Sequence, residues 1–216
     1  MAYKKSAETR QRIIEATKKL FIRKGYYNTT IKEIAAEAHI IHSSIYYYFR
    51  NKEAIARVIF DIVAEKIILA RDAALEADPD RLTNTILTYI LTFKYLALNK
   101  ATQAVYYDMV QYANYDKVNL ERVQRTFYGT TKTLFDEYGI PASDKRISAY
   151  ILTSDAFAKA LFKGIINGLL DFSLEEAMDY FCRHMLMSDI HIPDKEYREK
   201  LQTAFRISEG IDLDKP

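Results

Sequence analysis

Apolar side chains between residues 29 and 49 recur at the spacing of two short helices joined by a turn. In the first segment they occupy one helical face: Ile31, Ile34, Ala35 and Ala38. Thr30 precedes this pattern and Glu33 lies three positions later, which predicts a capping box. In the second segment they lie on an inner face: Ile41, Ile45 and Phe49. The pattern predicts a helix-turn-helix with its turn at residues 39–41.

Polar side chains occupy the outer side of the second predicted helix. They are His42, Ser43, Tyr46 and Tyr47, and each can form hydrogen bonds. In helix-turn-helix proteins the second helix enters the major groove of DNA. This stretch is therefore predicted to read DNA.

Helical periodicity continues along the rest of the chain. One apolar stripe predicts a first helix over residues 6–24, and another predicts a long helix over residues 51–77 that is capped by Asn51. Every segment after Arg81 has helical spacing, and no alternating strand pattern bounded by turn signals occurs in the sequence. We expect an all-α fold of about nine or ten helices.

Residues 9–53 resemble the N-terminal DNA-binding domain of the tetracycline-repressor (TetR) family. The matching residues keep the family's spacing without a break: Thr9-Arg10, Ile13 or Ile14, Ala16, Leu20-Phe21, Gly25-Tyr26, Thr29-Thr30-Ile31, Ile34-Ala35, Ala38, Ile45-Tyr46-Tyr47, Phe49 and Asn51-Lys52-Glu53. The resemblance implies a three-helix, helix-turn-helix DNA-binding domain over residues 1–52. It also implies a helical effector-binding and dimerisation domain over residues 53–216.

The resemblance further implies a function and a set of DNA contacts. The function is that of a ligand-responsive repressor, which a small molecule releases from a palindromic operator in double-stranded DNA. Contacts with phosphates set register without reading sequence, and the resemblance assigns them to Thr30, Tyr46, Tyr47, Tyr48 and Lys52. Base edges are assigned to His42, Ser43 and Ser44, whose polar groups pair with several bases.

Two residues depart from the family pattern at the turn. His39 stands where the family usually has glycine, which suits a left-handed backbone. Ile41 stands where the family usually has a serine or threonine that caps the recognition helix, and isoleucine cannot cap. Either this helix begins at Ser43, or its first turn is uncapped.

Aromatic residues are frequent on the predicted helices at residues 81–98, 101–113 and 117–138. Ordinary core packing accounts for many aromatic residues, but a buried tyrosine hydroxyl needs a polar partner. In the resembled family this middle region encloses a small-molecule pocket. We therefore predict a pocket for an aromatic or amphipathic effector, lined by Tyr89, Phe93, Tyr106, Tyr107, Tyr112, Phe127, Tyr128 and Phe162.

Two largely apolar helices are predicted over residues 144–170 and 174–187. With a symmetry mate they would form a four-helix bundle and an isologous contact, and the family resemblance implies the same. The predicted homodimer interface comprises Tyr150, Phe157, Leu161, Gly164, Ile165, Met178, Phe181 and Met185. The alternative is an internal helical hairpin that covers the core.

The charge of the chain is unevenly distributed. Residues 1–50 hold ten Lys/Arg and four Asp/Glu, a net charge of +6, whereas the whole chain carries only +2. A basic N-terminal fifth favours a nucleic-acid partner, and four cations near the start of the first helix are candidates for phosphate contacts: Lys4, Lys5, Arg10 and Arg12.

The single cysteine, the apolar runs and the sequence motifs indicate where the protein is located and whether it is an enzyme. Cys182 is the single cysteine, which fits a reducing cytoplasm, and no apolar run is long enough to span a membrane. Metal-binding pairs, nucleophile motifs and phosphate-cradling glycine loops do not occur, so neither an enzyme nor a bound metal or cofactor is expected. The competing function is a helical small-molecule binding or carrier protein that has lost specific DNA reading.

Overall fold

A computed structural model of the chain describes residues 2–74, 80–95 and 113–212. These ranges contain helices and no strand, so the prediction of an all-α fold is confirmed for them. The nine α-helices of these ranges are α1 (Ala2–Lys24), α2 (Ile31–Glu37), α3 (Ile45–Tyr48), α4 (Lys52–Ala74), α5 (Arg81–Phe93), α6 (Ala113–Glu137), α7 (Asp144–Ile166), α8 (Leu174–Met185) and α9 (Asp194–Glu209). A single 3-10 turn over His42–Ser44 precedes α3.

The chain forms two compact units. Among the described residues, the first contains the chain up to Glu65 together with residues 113–116, and the second contains residues 66–74, 80–95 and 117–212. Helix α4 contributes to both units. The functional boundary predicted between residues 52 and 53 stays a prediction.

The core of the first unit comes from α1, α2, α3 and the first turns of α4. Its central side chains are fully buried at helical spacing: Ile13, Ile14, Phe21, Ile34, Ile45 and Ile55, each with 0% exposure. Burying one such side chain contributes roughly 1.5–3 kcal/mol. This core fixes the helix-turn-helix on the long α1.

The core of the second unit is centred on α5. Ser143 caps α7 and Ser173 caps α8, each by accepting a backbone N–H three residues on. Asp80 caps α5 by accepting the backbone N–H of Thr83 at 2.9 Å, and Lys200 of α9 pairs with the same carboxylate at 3.0 Å. At the other end of α5, Lys94 donates to the carbonyl of Ser208 at 2.9 Å. These two contacts hold α9 along α5.

Candidate functional site

The start of α2 is fixed by the predicted capping box. The hydroxyl of Thr30 accepts the backbone N–H of Glu33 at 3.2 Å, and the Glu33 carboxylate accepts the backbone N–H of Thr30 at 2.9 Å. Hydrogen bonds from Lys24 and then from Thr30 lower the pKa of Glu33 to about 2. The Thr30 cap therefore keeps its ionised partner at any ordinary pH.

The turn after α2 is built on a residue with a left-handed backbone. His39 has φ +53°, and within the described residues it is the one non-glycine with positive φ. Its N–H donates to the carbonyl of Ala36 at 3.1 Å, and the N–H of Ile40 donates to Ala35 at 3.0 Å. A left-handed residue other than glycine costs about 1–2 kcal/mol, which is the cost expected when histidine replaces the usual glycine.

The recognition helix is shorter than the sequence pattern predicts. Its α-helical part is only Ile45–Tyr48, because residues 42–44 form a 3-10 turn and Phe49 is extended at φ −143°. Neither Ile41 nor Ser44 makes a side-chain capping bond. Of the two alternatives expected from the sequence, the structure therefore has the uncapped first turn. The backbone compensates in part, since the N–H of Ser44 donates to the carbonyl of Ile41 at 2.9 Å.

The predicted base-reading residues lie on the outer surface of this segment. His42, Ser43 and Ser44 are exposed, whereas Ile45 on the opposite side is fully buried. The rings of His42 and Tyr46 meet edge to face with centroids 5.6 Å apart. An exposed polar row on a buried anchor is the arrangement that a groove-reading helix needs.

The three tyrosines assigned to phosphates differ in exposure. Tyr46 is 52% exposed and Tyr47 is 82% exposed, while Tyr48 is half-buried with its ring against that of Tyr47. The hydroxyl is the only polar group on such a side chain, and it can donate to a phosphate oxygen. Tyr46 and Tyr47 are thus accessible for the role that the sequence predicts.

Lys52 occupies a different place from the one predicted. Its ammonium donates to the backbone carbonyls of Tyr26 at 2.7 Å and of Thr29 at 2.8 Å, and it lies 4.2 Å from the centroid of the Tyr26 ring. The carbonyl of Tyr27 lies at 3.5 Å. Because an ammonium has only three N–H donors, we reassign Lys52 from phosphate binding to holding the loop between α1 and α2.

Replacing Lys52 with methionine is therefore expected to lower the free energy of unfolding by about 2 kcal/mol, because buried carbonyls lose a charged donor. Chemical denaturation measures this loss. The matched control is Lys32→Met, since Lys32 is exposed on α2 and should change stability little. Equal stability of the two variants, with weaker DNA binding for Lys52→Met, would restore the phosphate role.

Two neighbours of Lys52 attach α4 to the preceding chain. Asn51 caps α4 by accepting the backbone N–H of Ala54 at 2.9 Å, as predicted. The hydroxyl of Tyr26 hydrogen-bonds to Glu53, and burial followed by this carboxylate raises the pKa of Tyr26. Residues 51–53 thus make three consecutive contacts that position the helix-turn-helix.

Arg10 on α1 is one of the four cations that the sequence offered as candidates for phosphate contacts. Its guanidinium lies 5.1 Å from the centroid of the Phe49 ring, at the end of α3. Sequence alone placed Arg10 near the start of the first helix, but not beside the recognition helix. Arg10 is exposed, so a cation stands next to the reading surface.

In the second unit, the aromatic residues predicted to line a pocket separate into two groups. Phe93 and Phe162 have ring centroids 3.6 Å apart, and Tyr89 lies 4.8 Å from Phe181. Phe127 and Tyr128 instead pack against a different cluster, which contains Phe135, Ile147 and Ile151. The predicted residues Tyr106, Tyr107 and Tyr112 lie outside the described residues.

Polar groups are buried beside the first aromatic group. The hydroxyl of Ser154, which is 2% exposed, donates to the backbone carbonyl of Tyr150 at 2.8 Å, and burial raises the pKa of the Tyr89 and Tyr150 phenols. Next to Ser154 on α7, Asp155 and Lys159 form an ion pair at 2.6 Å with side chains only 14% and 10% exposed. Apolar rings beside a few fixed polar groups are typical of small-molecule sites.

Three residues predicted for the dimer interface are core residues of the isolated chain. Leu161 is 4% exposed, and Met178 and Phe181 are 0% exposed. Gly164 also serves an internal contact, because a Cβ there would lie 2.7 Å from the Leu170 side chain. Periodicity identified the apolar face, but Leu161, Met178 and Phe181 pack inward within the chain, so these three interface assignments are wrong. The assignment of the half-buried Gly164 stays a prediction.

The other predicted interface residues are only half-buried, namely Tyr150, Phe157, Ile165 and Met185. The outer side of α7 and α8 carries exposed small residues and an aromatic pair. Ala156 and Ala160 are exposed on α7, and Tyr180 on α8 is 41% exposed with its ring centroid 4.1 Å from that of His184. We refer to these four residues as the outer α7–α8 face.

Comparison with known proteins agrees with this geometry. Residues 13–59 match the family described as "Bacterial regulatory proteins, tetR family". The match covers the second half of α1, α2, the turn, α3 and the start of α4. Residues 13–59 of this chain therefore belong to the DNA-binding domain of the TetR family.

Proteins similar to this chain in sequence include HTH-type transcriptional regulators. TtgR of Pseudomonas putida, an HTH-type transcriptional regulator, is 30% identical over 101 residues, which are 45% of this chain and 47% of TtgR. The match therefore spans about half the length of that relative.

Solved structures share the fold over most of the chain. RolR, solved with resorcinol, superposes with a TM-score of 0.68 at 17% identity and covers 92% of this chain and 95% of RolR. FadR of Thermus thermophilus, a repressor solved with lauroyl-CoA, gives a TM-score of 0.62 at 17% identity and covers 86% of this chain and 96% of FadR. Such low identities establish the fold and nothing finer.

Two other kinds of site have no candidate within the part of the chain that the structure describes. None of its helices combines the length and the apolar character needed to cross a bilayer. Its histidine, cysteine and acidic side chains form no cluster of three or more that could bind a metal ion.

Proposed function

We propose that this chain is a ligand-responsive repressor that binds a palindromic DNA operator as a homodimer. The observation that carries the proposal is the exposed row of His42, Ser43 and Tyr47 on a fully buried Ile45 anchor. The match of residues 13–59 to the TetR-family DNA-binding domain supports it. The competing carrier function is not favoured, because that function gives no reason to keep an exposed reading surface.

In the proposed complex each protomer places residues 42–47 in a major groove. His42, Ser43 and Ser44 face base edges, while Tyr46, Tyr47, Thr30 and the exposed Arg10 hold phosphates. The two half-sites lie one or more helical turns apart, at about 34 Å per turn. The outer α7–α8 face supplies the dimer contact, since its residues remain exposed in the single chain.

The proposed effector is an aromatic or amphipathic small molecule. RolR was solved with a phenol and FadR with a fatty acyl-CoA, and both ligand classes suit a site with apolar rings and a few polar groups. In this chain Tyr89, Phe93 and Phe162 supply the rings, and Ser154 supplies a buried hydroxyl. Effector binding moves α4, changes the separation of the two reading segments and lowers operator affinity.

Selection of the full-length protein on random double-stranded DNA tests the function. We expect enrichment of a palindrome, with a complex that contains two chains of 25.1 kDa each. The enriched DNA then serves to screen phenols and acyl-CoAs for release of the protein. Failure to enrich any sequence would contradict the repressor, and a monomer in solution would contradict the operator geometry.

A further inference from the structure

We propose that Ile41 reads the methyl group of a thymine in the major groove. The inference rests on the proposed function, because it requires that residues 42–47 enter that groove. It adds a specificity-determining residue, and with it a base, to a contact set that otherwise contains only polar side chains.

The prediction that Ile41 lies on the inner face of the second helix is wrong: it is a large apolar side chain with no role in the core. It is 74% exposed, whereas Ile45, one turn later, is 0% exposed and anchors the segment. Its backbone is extended at φ −67° and ψ 134°, and its side chain makes no capping bond. At this position a serine would stabilise the fold more than an exposed isoleucine does, because serine can cap the helix.

The position of Ile41 puts it in the reading surface. It directly precedes His42 and Ser43, both exposed, and its carbonyl is tied to the N–H of Ser44 at 2.9 Å. Its backbone is therefore held in a fixed relation to the row of base-reading side chains. Isoleucine is also stiff about its first side-chain torsion, so little conformational entropy is lost when it docks.

Groove chemistry identifies the partner. The polar edges of the bases present donors and acceptors in the major groove, and the one apolar group there is the C5-methyl of thymine. The net positive charge of residues 1–50 draws this surface to DNA rather than to an apolar protein partner. Each half-site of the operator should therefore contain one thymine whose methyl group contacts Ile41.

The test removes the methyl group alone. In the selected palindrome, each symmetry-related pair of thymines is replaced in turn by deoxyuridine, which keeps all hydrogen-bonding groups. One pair should weaken binding by about fifteen-fold, or about four-fold for each half-site, which is the value of burying one methyl-sized group. Titration of labelled DNA at fixed salt measures the change.

The variants assign the effect to one side chain. With Ile41→Ala the sensitivity to deoxyuridine should disappear, while thermal unfolding stays unchanged because the side chain is exposed. The matched control is Ile22→Ala, since Ile22 on α1 is 52% exposed in the same unit; this variant should keep the full sensitivity.

Two results would overturn the proposal while leaving the repressor intact. One is binding that does not respond to any thymine-to-deoxyuridine exchange, which would point to a protein partner or to no partner for Ile41. The other is a sensitivity that survives in Ile41→Ala, which would assign the methyl contact to another residue. A protein that enriches no palindrome refutes the proposed function itself, and the thymine contact with it.

Discussion

Replacing Phe181 with alanine lowers the free energy of unfolding by about 3–5 kcal/mol, the expected cost of removing a fully buried aromatic ring. Phe181 is 0% exposed and its ring lies 4.8 Å from Tyr89, 5.8 Å from Phe157 and 6.1 Å from Phe93. Alanine would leave a cavity, because the three rigid rings around it cannot move together to fill the space. Denaturant unfolding at a fixed protein concentration measures the loss, because the stability of a dimer depends on concentration.

The adjacent residue provides the control. Tyr180 is 41% exposed on the outer α7–α8 face, so Tyr180→Ala should change the stability of the chain little and weaken association of the two protomers. Analytical ultracentrifugation separates these effects. If Phe181→Ala instead dissociated the dimer and left the unfolding free energy unchanged, Phe181 would be an interface residue after all.

Replacing Tyr47 with alanine is expected to reduce operator affinity by about ten-fold or more for each half-site, since a hydrogen bond to a charged group is worth about 1.5–3 kcal/mol. Tyr47 is 82% exposed, so folding should not change. A phosphate contact carries no sequence information, and the loss should therefore be equal on specific and random DNA. Tyr47→Phe should reproduce most of it, because only the hydroxyl reaches a phosphate.

Tyr27 is a suitable comparison for this measurement. It is 65% exposed in the loop between α1 and α2, and Tyr27→Phe should leave binding unchanged. A Tyr47→Phe variant that binds as tightly as the parent protein at every salt concentration would refute the phosphate assignment. A loss confined to the selected operator would instead make Tyr47 a base-reading residue.

The local features of the fold could be predicted because their signals lie within a few residues. The capping box needs only Thr30 and Glu33, and the cap of α4 needs only Asn51 and the residues that follow. The left-handed turn at His39 follows from the place where glycine usually stands. The exposed row at residues 42–47 follows from helical spacing around Ile45.

Other features depend on contacts that the sequence order hides. Lys52 follows a helix cap and looks like a surface cation, yet its ammonium reaches carbonyls 23 and 26 residues away. Met178 and Phe181 lie on an apolar face, and periodicity cannot tell whether such a face meets the same chain or a partner. The recognition helix is shorter than the sequence pattern predicts because its first turn depends on a single capping residue, and Ile41 at that position makes no capping bond.

The junction at residues 51–53 limits how the length of the chain can vary. Asn51, Lys52 and Glu53 each contact a different group of the protein. Only Phe49 and Arg50 separate these three residues from the end of α3. One residue inserted between Lys52 and Glu53, in the first turn of α4, would rotate Glu53 by about 100° relative to Lys52, at 3.6 residues per turn, so the contacts of Lys52 and Glu53 could not both be kept. Natural insertions and deletions among homologues should therefore collect in the later connections between helices and spare this one.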